Sequence, residues 1–177
     1  MNNFKALYEQ YKNRVYNLAL HYVQNTEDAE EITQDVFIQI YEKHHTFREE
    51  SSFGTWVYRI TINQSLNFIR AKSRQKRFAI FSSLFHFNEG SLKHDQFDFN
   101  HPGILMEEKE SMKILFTHIN DLPVQQRTVL ILMKIENKSQ KEVSEILEIS
   151  AKAVESLMQR AKVNLRKKLN QTKENEK

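Results

Sequence analysis

Cysteine is absent from the 177 residues, which excludes a disulfide framework and any Cys-ligated zinc site and is compatible with a reducing compartment. Glycine occurs three times and proline twice, too few punctuating residues for a many-stranded sheet. That scarcity favours long helices joined by few loops, and the expected fold is all-α. No apolar run reaches the length of a membrane span, and the N-terminal MNNFKALYEQ lacks the uninterrupted apolar core of a secretory signal. A cytoplasmic protein without membrane insertion is expected. The histidines (His21, His44, His45, His86, His94, His101 and His118) form no His-Glu-x-x-His helix, and no Gly-rich phosphate loop or thiol nucleophile accompanies them. Scattered packing or surface histidines account for them, so no enzyme, cofactor or metal site is expected.

What is present is unevenly placed. The chain carries 26 Lys and Arg against 23 Asp and Glu, a net charge of +3. So small a total says little about a polyanion partner; clustering says more. Residues 1–50 hold five cations against nine anions, 51–80 six against none, 81–110 two against six, and 138–169 eight against four. Two basic blocks separated by an acidic one suit a protein with two separate polyanion contacts. The stretch SSFGTWVYRITINQSLNFIRAKSRQKR, 51–77, concentrates the first block, with an indole and two Asn among its cations.

Periodicity divides the first half into helices. Apolar residues at Phe4, Leu7, Tyr8, Tyr11, Val15, Leu18, Ala19 and Tyr22 recur at helical spacing over 4–23. Asn25 or Thr26 can cap a second helix whose first turns hold Glu27, Asp28, Glu30 and Glu31, where carboxylates face the positive end of the macrodipole. Ala29, Ile32, Val36 and Ile40 form its buried stripe. A third helix is expected from about Ser52 to about Lys76. On it Trp56, Arg59, Asn63, Asn67, Arg70 and Arg74 fall within about 60° of one line, a polar and basic face carrying the indole. Tyr58, Ile62, Leu66 and Ile69 lie opposite and are expected to pack against the first two helices.

Residues 78–108 lose this regularity around Gly90, Pro102 and Gly103 and read as a linker, with Phe81, Leu84 and Phe85 able to extend a helix into it. The expected organisation is a helical domain over 1–77, a flexible linker over 78–108, a second small helical domain over 109–170 and a polar tail over 171–177. In the second domain Pro123 stands at or near the first turn of a helix carrying Val124, Val129, Leu130, Leu132 and Met133. Ser139 and Glu142 make a capping box ahead of Val143, Ile146 and Leu147. After a turn at Glu148 and Ile149, Ser150 caps a longer cation-rich helix with Val154, Leu157, Met158, Ala161 and Leu165 as its core face. A short capped helix, a tight turn and a longer capped helix make a helix-turn-helix.

Such a motif gains affinity from phosphates and specificity from residues early in its second helix; the exposed positions there are Lys152, Glu155, Ser156, Gln159, Arg160 and Lys162. A solvated helix face with cations suited to the helix dipole is the plainer reading of the same charges. The 56–74 face suits single-stranded nucleic acid, because unpaired bases stack on aromatic rings, amides bond their edges, and cations track the backbone. Spacing alone also allows Trp56 to be a core residue.

The runs DAEEITQDVFIQIYEK, FREESSFGTWVYRITINQSLNFIR and INDLPVQQRTVLILMKIENKSQKEVSEILEISAKAVESLMQRAKVNLRKKL closely resemble bacterial RNA polymerase sigma factors of the extracytoplasmic-function group. The resemblance covers nearly the whole chain apart from the linker and tail. It implies a transcription initiation factor that binds core RNA polymerase, directs it to promoters and promotes DNA melting. It implies polymerase docking through Asp28, Glu31, Gln34, Asp35 and Phe37. Phe47, Arg48, Ser51, Ser52 and Phe53 match the family's loop that receives a flipped base of the minus-ten element. Trp56, Arg59, Asn63, Asn67 and Arg70 match its strand-binding helix, which Arg74 continues. The second domain, with Ser150 opening its recognition helix, is expected to hold the minus-thirty-five element as duplex. Acidic Asp95 and Asp98 of the linker are expected to imitate nucleic acid in the polymerase channel, and an anti-sigma protein is an expected partner. One departure stands out: where the family commonly reads Thr-Val-Lys-Ser-Arg, this chain reads Ala153-Val154-Glu155-Ser156-Leu157. The alternative class is a helix-turn-helix regulator that binds duplex DNA without polymerase, which would not require the aromatic and Asn face or the acidic second helix. A pure protein-interaction module is a third.

Overall fold

The computed structural model describes residues 2–44, 47, 51–85 and 106–175, with side chains over 4–44, 47, 51–77 and 111–171. Among the described residues there is no strand. The elements are α1 (Asn2–Val23), α2 (Thr26–Lys43), α3 (Phe53–Phe85), α4 (Met106–Asn120), α5 (Val124–Leu130), a π-helical turn (Ile131–Ile135), α6 (Gln140–Leu147) and α7 (Ala151–Asn175). The fold is all-α, as the scarcity of Gly and Pro required. The chain divides into two compact units, one of residues 1–44 and 60–98, the other of 45–59 and 99–177, so the division cuts α3 between Arg59 and Ile60.

In the first unit α1 and α2 pack against each other through the stripes that periodicity marks: Val15, Leu18, Ala19 and Tyr22 on one helix, Ala29, Ile32, Val36 and Ile40 on the other, each at most 1% exposed. Gln24, at φ 53°, makes the reversal between them. Asn25 then caps α2, its side chain accepting from the Asp28 N–H at 2.9 Å. Two bonds tie α2 to α3: Gln64 Nε2 donates to Gln39 Oε1 at 2.8 Å, and Lys72 Nζ to Asp28 Oδ2 at 2.6 Å.

In the second unit α7 packs against α4, α5 and α6. Its core holds Phe116, Ile119, Leu122, Val129, Leu130, Ile131, Leu132, Val143, Ile146, Val154, Met158 and Ala161. Pro123 stands directly before α5, where a missing N–H costs nothing. Helix α3 continues to Phe85, the extension that Phe81, Leu84 and Phe85 allow. Two features exceed the sequence reading: α4 begins at Met106, inside the expected linker, and α7 runs into the polar tail to Asn175. Extending an existing helix adds one hydrogen bond per residue without a new nucleus, so apolar periodicity understates the length of α7.

Candidate nucleic-acid interface

The acidic second helix offers Glu31, Gln34 and Asp35 on one exposed face. Asp28, by contrast, is paired with Lys72, their side chains 17% and 30% exposed. Phe37 is 6% exposed, its ring edge-on to Phe4 at 6.5 Å and tilted against Tyr8 at 4.7 Å, so it is a core residue between the two helices. Ile38 and Tyr41, which no motif marks, are 56% and 57% exposed. Ile38 falls three and four positions after Asp35 and Gln34, on their face. The available signal was an apolar residue standing off the buried stripe.

The loop before α3 is described at Phe47, Ser51 and Ser52; Arg48 lies outside the described residues, as do Asp95 and Asp98. Ser52 opens α3, its hydroxyl accepting from the Thr55 N–H at 3.1 Å. Phe47, Phe53 and Trp56 close into a three-ring cluster with centroids 5.3–5.4 Å apart. Each ring is half-buried, which puts Trp56 between the two roles its spacing allowed: it packs, and it keeps an exposed part.

The polar face of α3 divides at the same place as the two units. Asn63, Asn67, Arg70 and Arg74 are exposed, and Asn67 Oδ1 accepts from Arg70 Nη1 at 3.2 Å. Arg59 is engaged within the second unit: Nη2 donates to the Glu145 carbonyl at 2.6 Å, Nε to the Ile146 carbonyl at 3.2 Å, and Nη1 lies 2.7 Å from Glu148 Oε1. Tyr58, 4% exposed, donates its hydroxyl to Glu136 Oε2 at 2.8 Å, and Lys138 Nζ lies 5.0 Å from the centre of its ring. The expectation that Tyr58 belongs with the first two helices therefore gives way to a place in the second unit. Helical spacing fixes the side of α3 on which a residue lies, but not which element covers it.

The helix-turn-helix is built by local chemistry. Ser139 Oγ accepts from the Glu142 N–H at 3.2 Å, and Glu142 Oε2 accepts from the Ser139 N–H at 2.8 Å, a closed capping box. The Ser139 N–H, the Lys138 ammonium 3.0 Å away and the Ser139 hydroxyl together hold the Glu142 carboxyl down to about 2. Helix α6 ends at Glu148, φ 55° and ψ 40°, whose N–H returns to the Ser144 carbonyl. Ser150 then caps α7 through the Ala153 N–H at 3.2 Å. Along α7, Val154, Met158 and Ala161 are buried, Ser156 and Leu157 are half-buried, and Lys152, Glu155, Gln159, Arg160 and Lys162 are exposed. The π turn just before this motif was not legible, since its extra residue leaves the apolar pattern ILM intact.

Among the described residues no cluster of three His, Asp or Glu could hold a metal ion, and no helix is long and apolar enough to cross a membrane.

Residues 7–75 match Sigma-70 region 2, and residues 114–165 match Sigma-70, region 4. The ECF RNA polymerase sigma-E factor of Haemophilus influenzae is 29% identical over 175 residues, covering 94% of this chain and 87% of that protein. The ECF RNA polymerase sigma-E factor of Escherichia coli is 29% identical over 162 residues, covering 90% and 82%. Among solved structures, the sigma factor RpoE in complex with the anti-sigma factor NepR from Bartonella quintana shares the fold, with a TM-score of 0.65, 19% identity, and coverage of 96% of this chain and 98% of that one. CnrH in complex with the cytosolic domain of CnrY gives a TM-score of 0.66, 20% identity, and coverage of 94% and 87%.

Proposed function

The chain belongs to the sigma-70 family as an extracytoplasmic-function sigma factor, a factor for transcription initiation, and from that premise we propose how its residues divide the work. The observation that carries the proposal is the presence of both regions in order on one chain, the first over 7–75 and the second over 114–165. A regulator acting by a helix-turn-helix alone accounts for the second segment and leaves the first without a use.

Core RNA polymerase is the partner of the exposed face of α2, with Glu31, Gln34 and Asp35 as its polar contacts and Ile38 as its apolar centre. Asp28 contributes by fixing the helix through Lys72, and Phe37 by packing beneath it. Promoter DNA is held twice. The minus-ten element is taken as a single strand by the loop 47–53, including Arg48, and by Trp56, Arg59, Asn63, Asn67, Arg70 and Arg74. A face without any acid between residues 51 and 80 does not repel the phosphates of a melted strand. The minus-thirty-five element is taken as duplex by α7, entered from Ser150, with Lys152, Ser156, Gln159, Arg160 and Lys162 on backbone and base edges and Glu155 reading a base. Functionally, 1–77 serves polymerase docking and promoter opening, 78–108 links, 109–170 reads duplex, and 171–177 is a polar tail.

No step in this work forms or breaks a covalent bond within the protein's own site, so the protein acts by binding, without catalytic residues or cofactor, in the cytoplasm where polymerase and promoter are. An anti-sigma protein is the expected regulator; a structure of the same fold was solved with one bound. The experiment is reconstitution: the full chain added to core polymerase on DNA of its own genome yields transcripts starting at defined positions. Starts that do not depend on the chain reject the proposal.

A further inference from the structure

Glu148 occupies a left-handed backbone conformation, φ 55° and ψ 40°, at the end of α6. Glycine is the usual residue there, because a side chain costs energy in that region. The helix termination needs only backbone: the Glu148 N–H returns to the Ser144 carbonyl, and the Ile149 N–H reaches the same oxygen at 3.2 Å. Glycine would make both bonds equally well. What glutamate adds is a carboxylate, and Oε1 lies 2.7 Å from Arg59 Nη1.

The rest of the guanidinium meets the same helix end. The last carbonyls of a helix have no donor within it and carry the negative end of its dipole. Arg59 satisfies two of them, Glu145 and Ile146, so Nε, Nη1 and Nη2 are each engaged by the C-terminal turn of α6. With three of its five N–H donors so occupied, the guanidinium can turn its full fork to a phosphate only when it gives those acceptors up. Its neighbour Tyr58 is engaged in the same unit through Glu136.

We propose that Arg59 and Glu148 form a latch: in the free protein the end of α6 holds a cation needed for the melted strand, and the strand is bound only when that cation is released. The inference rests on the reading of Arg59 as a strand contact. The latch is displaceable, since the Glu148 side chain is 71% exposed and that of Arg59 28%, so water, salt and a competing phosphate all reach it. A strand-competent state populated in about one molecule in ten would lower apparent affinity about tenfold.

The test measures binding of a short, fluorescein-labelled, single-stranded DNA pool of randomised sequence to the full chain without polymerase. Glu148→Gly removes the carboxylate and suits the backbone, so the fold is kept; affinity is expected to rise about three- to tenfold. Glu145→Gln removes one negative charge nearby while leaving the carbonyl contact, and it is expected to give no comparable gain. Arg59→Ala is expected to weaken binding, and Glu148→Gly added to it is expected to give no recovery. If Arg59→Ala weakens binding but Glu148→Gly changes nothing, the strand reading stands and the latch is overturned. A gain from Glu148→Gly that persists with Arg59→Ala, or that Glu145→Gln reproduces, also overturns the latch, because bulk charge then explains it. If neither Arg59→Ala nor Glu148→Gly has an effect, the strand reading of Arg59 fails and the latch with it.

Discussion

Lys72 Nζ lies 2.6 Å from Asp28 Oδ2 and joins the first turn of α2 to the middle of α3. The aspartate is one of three acids of α2 that family resemblance would send to polymerase, yet it is mostly buried and paired inside its own unit. Asp28→Asn should therefore lower stability by about 1–2 kcal/mol, between the values for exposed and buried pairs. Asp35→Ala, on the exposed face, should leave the melting temperature nearly unchanged and weaken competition for core polymerase more than Asp28→Asn does. Calorimetry and a polymerase competition assay on the two variants give the comparison. The reverse order of effects would return Asp28 to the interface.

Trp56 and Asn63 separate packing from strand contact. Trp56 completes a cluster with Phe47 and Phe53, so Trp56→Ala should cost about 1–3 kcal/mol of stability and also impair promoter opening, with Trp56→Phe recovering most of the stability. Exposed Asn63 should tolerate Ala within about 0.5 kcal/mol while promoter opening falls. Thermal melts together with 2-aminopurine fluorescence of the minus-ten element read both quantities. An Asn63→Ala variant that opens DNA as well as the parent removes that residue from the strand face.

Local rules made much of this visible in advance. The stripes of α1 and α2, the Asn25 cap, the capping box at Ser139 and Glu142 and the Ser150 cap each depend on residues three or four apart, and all are present. The burial of Phe37 is not legible from spacing along α2, because its cover comes from Phe4 and Tyr8 of another helix. Spacing puts Arg59 on the polar side of α3, but its acceptors stand 86 and 87 residues further along the chain, beyond the reach of any periodicity. The start of α4 is not legible, because it follows Pro102 and Gly103, punctuation that reads as a loop and says nothing of where the next helix begins.

Glu155 is exposed on α7 and stands where the family commonly carries lysine. A carboxylate there repels phosphate but accepts from the N4 amine of cytosine, so Glu155→Ala should relax preference for a C at one minus-thirty-five position, a loss of about 1–3 kcal/mol for the correct base. Opening of the minus-ten element should be unaffected. Selection from a randomised promoter pool with parent and variant measures it; identical preferences at every position make Glu155 a solvated residue.

The capping box gives the helix-turn-helix an acid limit. The folded pKa of Glu142 is about 2, below its ordinary value of 4.5, so its stabilisation is present above about pH 4.5 and is lost as pH falls toward 2. Its side chain is 47% exposed, and after solvent screening the contribution is about 1 kcal/mol. Glu142→Gln should lower the melting temperature at pH 7 and shrink the difference from the parent as pH falls to 3. A difference that stays constant over that range would assign the loss to something other than the carboxylate's charge.

Two promoter contacts on one chain should act together once polymerase is bound, and sequencing of transcript 5′ ends from genomic DNA reads both at once. With core polymerase and the full chain, start sites should cluster downstream of one shared pair of minus-ten and minus-thirty-five motifs. The chain alone should bind the same promoter duplex only weakly, because neither small contact suffices without the pre-organisation that polymerase adds. Tight, sequence-specific binding of duplex by the chain alone, with no chain-dependent start sites, would contradict the account and identify a regulator that needs no polymerase.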